Sequence, residues 1–413
     1  MLISRLTADG HLVTVISEDK VALSQIEEQN EVRAICARPS YPESLREAGA
    51  QTARSIIAVT QNDEQNMIAC QVAHSIFKVP TKIARISSNH YVVRRELFSD
   101  HDLPIDVFVN PEKIIARSIK QLLLFPGAKK AYDMCNGQLK AIHFMLDESE
   151  PQNKESSKNY KLLKSDHLPD NEVLALFPSL HAQDNLNIIN PNKTQTEKVI
   201  IAGANPLTSQ LCYLLSDLIN LTIIDPVHEN CLHYASLHPN VTFIHDEFAD
   251  QKILARENIQ ACDWFLALTD DDEDNLIAAM QAKKIGCRCA LALISRHDYL
   301  NLIEQDQIDI LLSPQSLVIQ SIYSRLLDRK NVRTYDLSPH GNLICVRMIT
   351  GENPSPNLKP IYIYRNHRLL EFDSEQSIYA GDYIIFFSSH EIPPSSWKNT
   401  LIASALPSSF PGA

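Results

Sequence analysis

An internal repeat constrains this sequence more than any other feature. The segment Ala58–Asn66 aligns with Ala267–Asn275, and Thr60 corresponds to Thr269 at an offset of 209 (269 − 60). The match continues into apolar positions, where Ile68, Ala69 and Ala73 correspond to Ile277, Ala278 and Ala282. Further along, Ile105-Asp106 with Asn110-Pro111 parallels Ile308-Asp309 with Ser313-Pro314. A fixed offset over this length indicates a duplicated domain.

The second copy contains the layout of a dinucleotide-binding βαβ unit. It predicts a buried strand (Lys198–Ala202), a tight turn (Gly203–Asn205), a helix and a second strand ending at Asp225. Asn205 is a good helix cap, and Pro206 suits the first helical position. We expect an apolar stripe on the helix at Leu207, Leu211, Leu214, Leu215 and Leu218.

The glycine pattern of that turn differs from the dinucleotide fingerprint. The fingerprint has glycine at three places, which are Gly203, Asn205 and Thr208 here. The second glycine lets the backbone approach a pyrophosphate and the third lets helix and strand pack closely. Asn205 therefore places a side chain in that approach, and Pro206 removes one N–H from the anion-binding helix end. With 10 glycines in 413 residues and no G-x-G, no glycine-rich phosphate loop is present elsewhere.

The first copy alternates strand and helix in the same order, which predicts a parallel sheet. The predicted elements are strands at His11–Ile16, Val32–Cys36, Ser55–Thr60, Lys82–Ile86 and Asp106–Val109, with helices at Met1–Leu6, Tyr41–Ala48, Asn62–Phe77 and Pro111–Leu124. The first strand of the fold and its glycine turn have no counterpart, although that strand is the central one of such a sheet. A mis-called start, a truncated gene and a domain completed by another chain all fit this expectation.

Composition narrows the class of function. A net charge of −12 argues against a nucleic-acid partner and against docking on anionic lipid. No apolar run reaches the length of a spanning helix, and the start lacks a signal-peptide pattern. Nine scattered cysteines indicate reduced thiols that act as small buried hydrophobes.

The residues outside the two copies fall into three regions. Residues 126–197 include two polar stretches, 147–161 and 182–198, that read as loop or linker. Residues 331–390 read as short strands of a small β-rich domain, and 391–413 as a disordered tail rich in proline and serine.

The chain resembles the TrkA family, the cytosolic subunits of bacterial potassium uptake systems built from RCK (regulator of potassium conductance) domains. The carrying segments are Ser44–Phe77, Lys82–Tyr91, Leu103–Ile119, Leu266–Gly286, Ile308–Gln315 and Ile378–Ser389. The resemblance implies an α/β fold with two Rossmann-like, parallel-sheet RCK N-type domains, each followed by a small α/β RCK C-type domain. The expected domains are 1–125, a reduced C-type domain with linker at 126–197, 198–330, 331–390 and the tail 391–413.

The resemblance also implies a function without catalysis. It predicts a nucleotide-responsive regulatory subunit on the cytoplasmic face of the inner membrane. The subunit would be a homo-oligomer, a tetramer by the family resemblance, that assembles as a ring of RCK domains. Its partner would be a membrane potassium translocator of the TrkH/TrkG type, and its ligand NAD(H) or an adenine nucleotide (ATP or ADP), bound weakly or not at all. Ser17 replaces the acid that ends the family's second strand. The implied cofactor-binding residues are Gly203, Ala204, Asn205, Pro206, Leu207, Asp225, Asp246, Thr269, Thr60, Gln61 and Arg85.

Several of these positions have a purely structural alternative. Asp225 suits a ribose diol but is also a plausible solvated turn acid. Arg85 suits a phosphate or a structural salt bridge. Thr60 and Thr269 end strands at the ligand-binding edge of the sheet, or cap the helices that follow, as the spacing from Thr269 to Asp272 allows.

Two further interpretations concern metals and catalysis. The acidic run Asp270–Asp274 suits a divalent cation or, more simply, a helix N-terminus. The scattered histidines form no metalloprotease or serine-hydrolase motif. An NAD(P)-dependent dehydrogenase and a decayed paralogue that acts only in assembly remain the alternatives.

Overall fold

The computed structural model of the chain describes residues 2–8, 10–99, 102–125, 127–145, 160–163, 172–181, 196–296, 299, 307–327, 332–336, 342–348, 360–373 and 377–388. They form two compact units. The first unit comprises the described residues within 1–114 and 318–328, and the second those within 115–317 and 329–391. The tail 391–413 and most of the polar stretches 147–161 and 182–198 lie outside the described residues.

The first unit contains two parallel sheets. The strands β1 and β2 pair in parallel, and β3, β4 and β5 form a separate parallel sheet. The elements are α1 (Leu2–Ala8), β1 (Thr14–Ser17), α2 (Lys20–Gln29), β2 (Arg33–Cys36), α3 (Pro42–Glu47), β3 (Ser55–Ala58), α4 (Asp63–Ser75), β4 (Thr81–Arg85), α5 (Asn89–Val92), β5 (Val107–Val109) and the start of α6 (Pro111–Leu124). Ile322 packs here against Ile83 and Val109.

Two antiparallel sheets follow the copies in sequence, and both belong to the second unit. The first has the strand order β6-β7-β9-β8, from β6 (Ala128–Met134), β7 (Leu139–Met145), β8 (Lys161–Leu163) and β9 (Glu172–Pro178). Its inner face shares one apolar cluster with the second small sheet, which includes Leu139, Leu176, Leu343 and Ile385. The predicted domain boundaries stay predictions.

The second unit also contains a complete six-stranded parallel sheet. The elements are β10 (Lys198–Ala202), α7 (Pro206–Leu215), β11 (Asn220–Asp225), α8 (His228–Leu237), β12 (Thr242–His245), α9 (Gln251–Arg256), β13 (Trp264–Ala267), α10 (Asp272–Ile285), β14 (Cys289–Leu293), β15 (Ile310–Leu312) and the start of α11 (Pro314–Leu327). Their order in the sheet is β12-β11-β10-β13-β14-β15. This is the 3-2-1-4-5-6 order of a Rossmann fold, so the predicted α/β class with a parallel sheet is confirmed.

The second small sheet is antiparallel, with the order β16-β17-β20-β18-β19. It is formed by β16 (Val332–Asp336), β17 (Asn342–Arg347), β18 (Pro360–Arg365), β19 (Arg368–Glu371) and β20 (Tyr383–Ser388). Lys161 Nζ lies 2.6 Å from Glu371 Oε1, so an ion pair accompanies the apolar contact between the two small sheets.

The apolar strands explain where the core of the second unit lies. All four residues of β13 are buried, as are the last four of β10, because helices cover both faces of a parallel sheet. The helix α7 buries Leu207, Leu211 and Leu215 against one face. The predicted stripe is wrong at Leu218, which follows the helix and is 60% exposed. No helix of the described residues combines the length and apolarity needed to cross a membrane.

Candidate nucleotide site in the second unit

The turn after β10 lies where a Rossmann fold binds its ligand. The strand β10 pairs with β11 on one side and with β13 on the other, so the chain order reverses at this point of the sheet. Open α/β sheets bind ligands in the crevice beyond the carboxyl ends of the strands at such a switch point. Gly203 begins the turn with φ of +100°, a backbone conformation that favours glycine. A Cβ there would lie 3.1 Å from Thr269 Cγ2 and 3.2 Å from the Thr269 backbone.

The side chain of Asn205 spans this crevice. Its Oδ1 accepts a hydrogen bond from the Thr208 N–H at 3.0 Å, which caps α7 as predicted. Its Nδ2 donates to the Leu268 carbonyl at 2.6 Å, just beyond the end of β13. The amide therefore ties the start of α7 to the neighbouring strand, in the space that the backbone of a second glycine leaves open for a pyrophosphate.

The remaining residues of the turn are held by the protein itself. The Gly203 N–H donates to the Ile224 carbonyl at 2.9 Å, and the Thr208 hydroxyl donates to the Gly203 carbonyl at 2.7 Å. Pro206 is exposed and has no N–H, while Leu207 is 6% exposed and packs in the core. The N–H groups that a helix N-terminus offers to an anion are thus partly used or absent.

Asp225 is a buried acceptor rather than a solvated turn acid. It is 6% exposed, and its Oδ2 accepts from the Ala204 N–H at 2.7 Å. Its Oδ1 accepts from the Val227 N–H at 2.8 Å and from Asn230 Nδ2 at 3.3 Å. The carboxylate joins the turn after β10 to the loop after β11, and both of its oxygens already have donors.

Asp246, in the loop after β12, contacts the end of β11. The Asp246 N–H donates to the Asp225 carbonyl at 3.2 Å, and the Asp246 carboxylate lies 3.3 Å from Arg256 Nη2. Two histidine rings, His228 and His245, lie 5.0 Å apart beside this loop, and His245 Nε2 is 3.0 Å from the Pro226 carbonyl oxygen.

Ser209 on α7 and His238 form a buried hydrogen-bonded pair. Ser209 Oγ lies 2.8 Å from His238 Nε2, and both residues are less than a tenth exposed. Burial lowers the pKa of His238, which therefore favours the neutral imidazole. The nearby Tyr234 has a pKa raised by partial burial and then by the Asp225 and Asp270 carboxylates, so its hydroxyl stays protonated. No sequence motif marks this pair.

Thr269 is held by Asn275 and does not cap a helix. Its N–H and hydroxyl both donate to Asn275 Oδ1, at 2.8 and 2.9 Å, and Asn275 Nδ2 donates back to the Thr269 carbonyl at 3.0 Å. The cap of α10 is Asp271, whose Oδ1 accepts from the Asp274 N–H at 2.9 Å. The capping alternative for Thr269 is therefore wrong, because its hydroxyl donates to Asn275 and accepts from the Asp271 N–H, whereas Asp271 accepts from the first turn of α10.

The first unit repeats this arrangement with the same residue types. Thr60 donates through its N–H and hydroxyl to Asn66 Oδ1, at 2.9 and 2.8 Å. Asn62 caps α4, so the predicted cap at Thr60 is also wrong. Arg85 ends β4, and its Nη1 lies 3.4 Å from the Thr60 carbonyl oxygen. Gln61 is exposed in the loop between β3 and α4.

The acidic residues after each strand have structural partners. Asp272 accepts from the Ser295 and Arg296 N–H groups at 2.9 and 2.8 Å, and Asp63 accepts from Ser87 and Ser88 in the same way. Within the described part of the chain no three metal-ligating side chains come together. The run Asp270–Asp274 lies at the start of α10, where the helix dipole favours negative charge.

The comparisons with known proteins agree with this fold. The TrkA-N domain family matches residues 1–111 and 199–314, together more than half of the chain. The Trk system potassium uptake protein TrkA of Halomonas elongata is 27% identical over 426 residues, covering 94% of this chain and 92% of that protein. The same-named protein of Haemophilus influenzae is 27% identical over 94% of this chain and 93% of its own length.

Solved structures of similar fold include RCK proteins. The crystal structure of the GsuK RCK domain has a TM-score of 0.60 and 15% identity, over 97% of this chain and 92% of that one. The GsuK channel bound to NAD has a TM-score of 0.61 and 14% identity, over 97% and 76% of the two chains. The strand order, the duplicated threonine–asparagine arrangement and the matches over both copies lead to one conclusion: the chain belongs to the TrkA family, with a TrkA-N domain in each copy.

Proposed function

We propose that this chain is a non-enzymatic regulatory subunit of a potassium uptake system whose response to nucleotides is weakened. Its family membership and the names of its relatives support the potassium-transport role. The fold that it shares with a GsuK channel bound to NAD supports NAD(H), ATP or ADP as the class of ligand. The second unit is the sensor and the first is a scaffold, since among the described residues a turn of the dinucleotide-binding type, at Gly203, is found in the second.

The observation that carries the weakened response is the hydrogen bond from Asn205 Nδ2 to the Leu268 carbonyl at 2.6 Å. A pyrophosphate at the switch point would have to displace this amide, which also caps α7. Asp225 already accepts from the Ala204 and Val227 N–H groups and from Asn230, which leaves about one acceptor site for a ribose hydroxyl. Displacing the Asn205 amide removes a partly buried hydrogen bond, so it subtracts from the affinity that the fold otherwise provides.

Regulation requires a partner that the ligand-bound form affects. A nucleotide changes an equilibrium between two arrangements only as far as it binds one of them better. We place this subunit on the cytoplasmic face of the inner membrane, as a tetramer beneath a potassium translocator of the TrkH/TrkG type, where such a change gates the pore. A nucleic-acid partner is not part of the proposal, because the net charge is −12.

Replacing Asn205 with glycine tests the proposal directly. Asn205→Gly removes the amide from the crevice and costs only a few tenths of a kcal/mol as a helix cap. We expect NADH to bind this variant at least about tenfold more tightly than the unaltered chain, which is about 1.4 kcal/mol. Isothermal titration calorimetry with NADH, ATP and ADP on the full chain measures both constants.

Asn205→Ala is the matched control. It also removes the bond to Leu268, but it keeps a Cβ in the approach and loses the cap, so we expect a smaller gain than with glycine. Equal, tight NADH binding by the unaltered chain and by both variants would contradict the weakened site. Consumption of NADH in the presence of an oxidised substrate would instead favour a dehydrogenase.

A further inference from the structure

Two cysteines from different parts of the chain meet in the core between the two small sheets. The sulfurs of Cys135 and Cys345 lie 3.5 Å apart and share a hydrogen bond. Both residues are 2% exposed, and both belong to the apolar cluster that the two small sheets share. Cys135 follows β6, and Cys345 lies on β17, 210 positions later in the chain. The contact therefore joins two sheets that have no strand pairing with each other.

The turn that carries Cys135, between β6 and β7, docks on the second small sheet through two further residues. Asn136 Nδ2 donates to the Tyr383 hydroxyl at 3.2 Å. The Tyr364 hydroxyl donates to the Gln138 carbonyl at 3.1 Å. These two tyrosines lie on the neighbouring strands β20 and β18, and β20 also pairs with β17. The position of the Cys135 thiol is therefore fixed by contacts on the residues that follow it.

The backbone holds Cys135 in a conformation that a cysteine rarely adopts. Cys135, Asn136 and Gly137 have successive φ angles of +51°, +57° and +83°. Asparagine and glycine enter this left-handed region readily, whereas other residues do so at a cost. Such strain persists where the surrounding structure holds it, and it concentrates at functional sites. Here it places a thiol directly beneath a surface turn, because Asn136, Gly137 and Gln138 are exposed.

We propose that Cys135 and Cys345 form a redox modification site, at which a peroxide oxidises the two thiols to a disulfide that joins the two small sheets covalently. The sulfurs have to approach by about 1.5 Å to reach bonding distance, a movement of the size that side-chain rotation supplies. Because the two thiols are already in contact, each has a high effective concentration for the other. The proposal is independent of the nucleotide site and of the potassium-transport role.

The oxidation balances with one molecule of hydrogen peroxide. The Cys135 sulfur attacks one peroxide oxygen, the O–O bond breaks, the sulfur becomes a sulfenic acid and the thiol proton leaves in a water molecule. The Cys345 sulfur then attacks the sulfenic sulfur, the S–O bond breaks, the S–S bond forms and a second water leaves. The two sulfurs lose two electrons, and the two peroxide oxygens gain them. Since both thiols are buried, the reaction depends on a local opening of the exposed turn.

A second pair of contacting thiols, Cys262 and Cys287, provides an internal control. Cys262 Sγ lies 2.9 Å from the Trp264 carbonyl oxygen, and Cys287 Sγ lies 3.3 Å from the Cys289 carbonyl oxygen. These cysteines precede β13 and β14, which already pair with each other. A disulfide between them would join two strands of one sheet, so it would not connect the small sheets.

Mass spectrometry of the oxidised full chain tests the proposal. Cys36→Ser serves as the background, because it removes the exposed thiol. The protein is treated with hydrogen peroxide, the peroxide is removed with catalase, and the remaining thiols are alkylated in urea before digestion without reductant. We expect a linked peptide that contains Cys135 and Cys345 and that dithiothreitol separates. We also expect hydrogen exchange in β7 and β17 of the oxidised protein to slow at least about tenfold, because the covalent link limits separation of the sheets.

Three variants in the same background make the test specific to the pair. Cys135→Ala and Cys345→Ala should each abolish the linked peptide and the slowing of exchange, whereas Cys287→Ala should keep both. Circular dichroism confirms that each variant is folded, and the two members of the pair give independent readings. The proposal is overturned if both thiols remain alkylatable after peroxide treatment, if either is oxidised to sulfinic acid without a linkage, or if peroxide slows exchange equally in Cys345→Ala.

Discussion

Two buried asparagines organise the carboxyl ends of the sheets at the scale of single residues. Asn66 and Asn275 are 0% and 1% exposed, and each amide uses both its oxygen and its nitrogen. Asn275 Nδ2 donates to the carbonyls of Thr269 and Leu293, at 3.0 and 2.9 Å, and thereby joins the ends of adjacent strands β13 and β14. The amide of Asn66 joins Thr60 and Arg85 in the same way, at 3.0 Å each.

Asn275→Ala should therefore be costly. It removes the partner of the Thr269 N–H and the donor to the Thr269 and Leu293 carbonyls, so we expect a loss of stability on the order of 3 kcal/mol. Urea unfolding followed by circular dichroism measures this loss, with Asn66→Ala as the matched variant in the first unit. A loss below about 1 kcal/mol for Asn275→Ala would show that the bonds are replaced by water.

The sequence predicts local elements better than it predicts the direction of their polar side chains. The helix Pro111–Leu124 has the predicted bounds, because proline at its start and a clear apolar stripe define it locally. The helix caps are Asn62 and Asp271, two residues after the threonines Thr60 and Thr269 for which capping was one of two alternatives. Threonine and asparagine or aspartate all suit a cap. The choice between them depends on Asn66 and Asn275, which is a tertiary contact.

The same limit applies to the turn after β10. Its departure from the glycine fingerprint is visible in the residues themselves. That the Asn205 amide points to Leu268, a residue 63 positions away, depends on how β10 and β13 align and is not a local property. The burial of Asp225 follows in the same way from the Ala204 and Val227 N–H groups that surround it.

At the scale of the small sheets, the ion pair of Arg365 and Asp382 makes the stability of the fold depend on pH. Arg365 on β18 donates from Nε and Nη2 to the two carboxylate oxygens of Asp382, at 2.8 and 2.6 Å. Burial alone raises the pKa of Asp382, but the hydrogen bonds from Arg365 and from the Tyr379 N–H outweigh it, so the net pKa is lowered. A lowered pKa in the folded state means that this stabilisation is present above the unfolded value of about 4 and is lost as the pH falls below it.

The variant Asp382→Asn tests whether this stabilisation is lost as the pH falls. Thermal unfolding of the unaltered chain between about pH 6 and pH 3 should show a steeper loss of stability than that of the variant, since the variant has no carboxylate to protonate. Arg365→Lys keeps the charge without the two-point contact and should lie between them. If thermal stability falls equally with pH in the unaltered chain and in Asp382→Asn, protonation of Asp382 does not account for any of the loss.

At the scale of the whole molecule, the two copies keep one frame and differ in what they retain of it. Both hold a threonine, an asparagine and an acid in the same hydrogen-bonded positions after corresponding strands. Only the second copy has a described strand and glycine turn at the centre of its sheet. The candidate nucleotide site is therefore described in the second copy, where the strand β10 and the turn at Gly203 lie at the centre of the sheet.

The nine cysteines are spread along the whole chain, so their exposure reports on the packing of both units. Cys36 is exposed, Cys289 is partly exposed and the other seven are buried. Burial raises the pKa of Cys70 and of Cys212 to about 12, so these thiols are protonated at neutral pH and are poor nucleophiles. The Cys135 and Cys345 sulfurs lie 3.5 Å apart inside the core between the small sheets, where the shared hydrogen bond and burial raise the pKa of Cys135.

We expect a water-soluble maleimide to modify one thiol of the native chain rapidly, a second slowly, and all nine after denaturation, as counted by intact mass. Cys36→Ser should remove the rapid phase and leave the slow one. Several rapid thiols, or a rapid phase that survives in Cys36→Ser, would mean that the packing around the buried cysteines opens far more readily than their exposure implies.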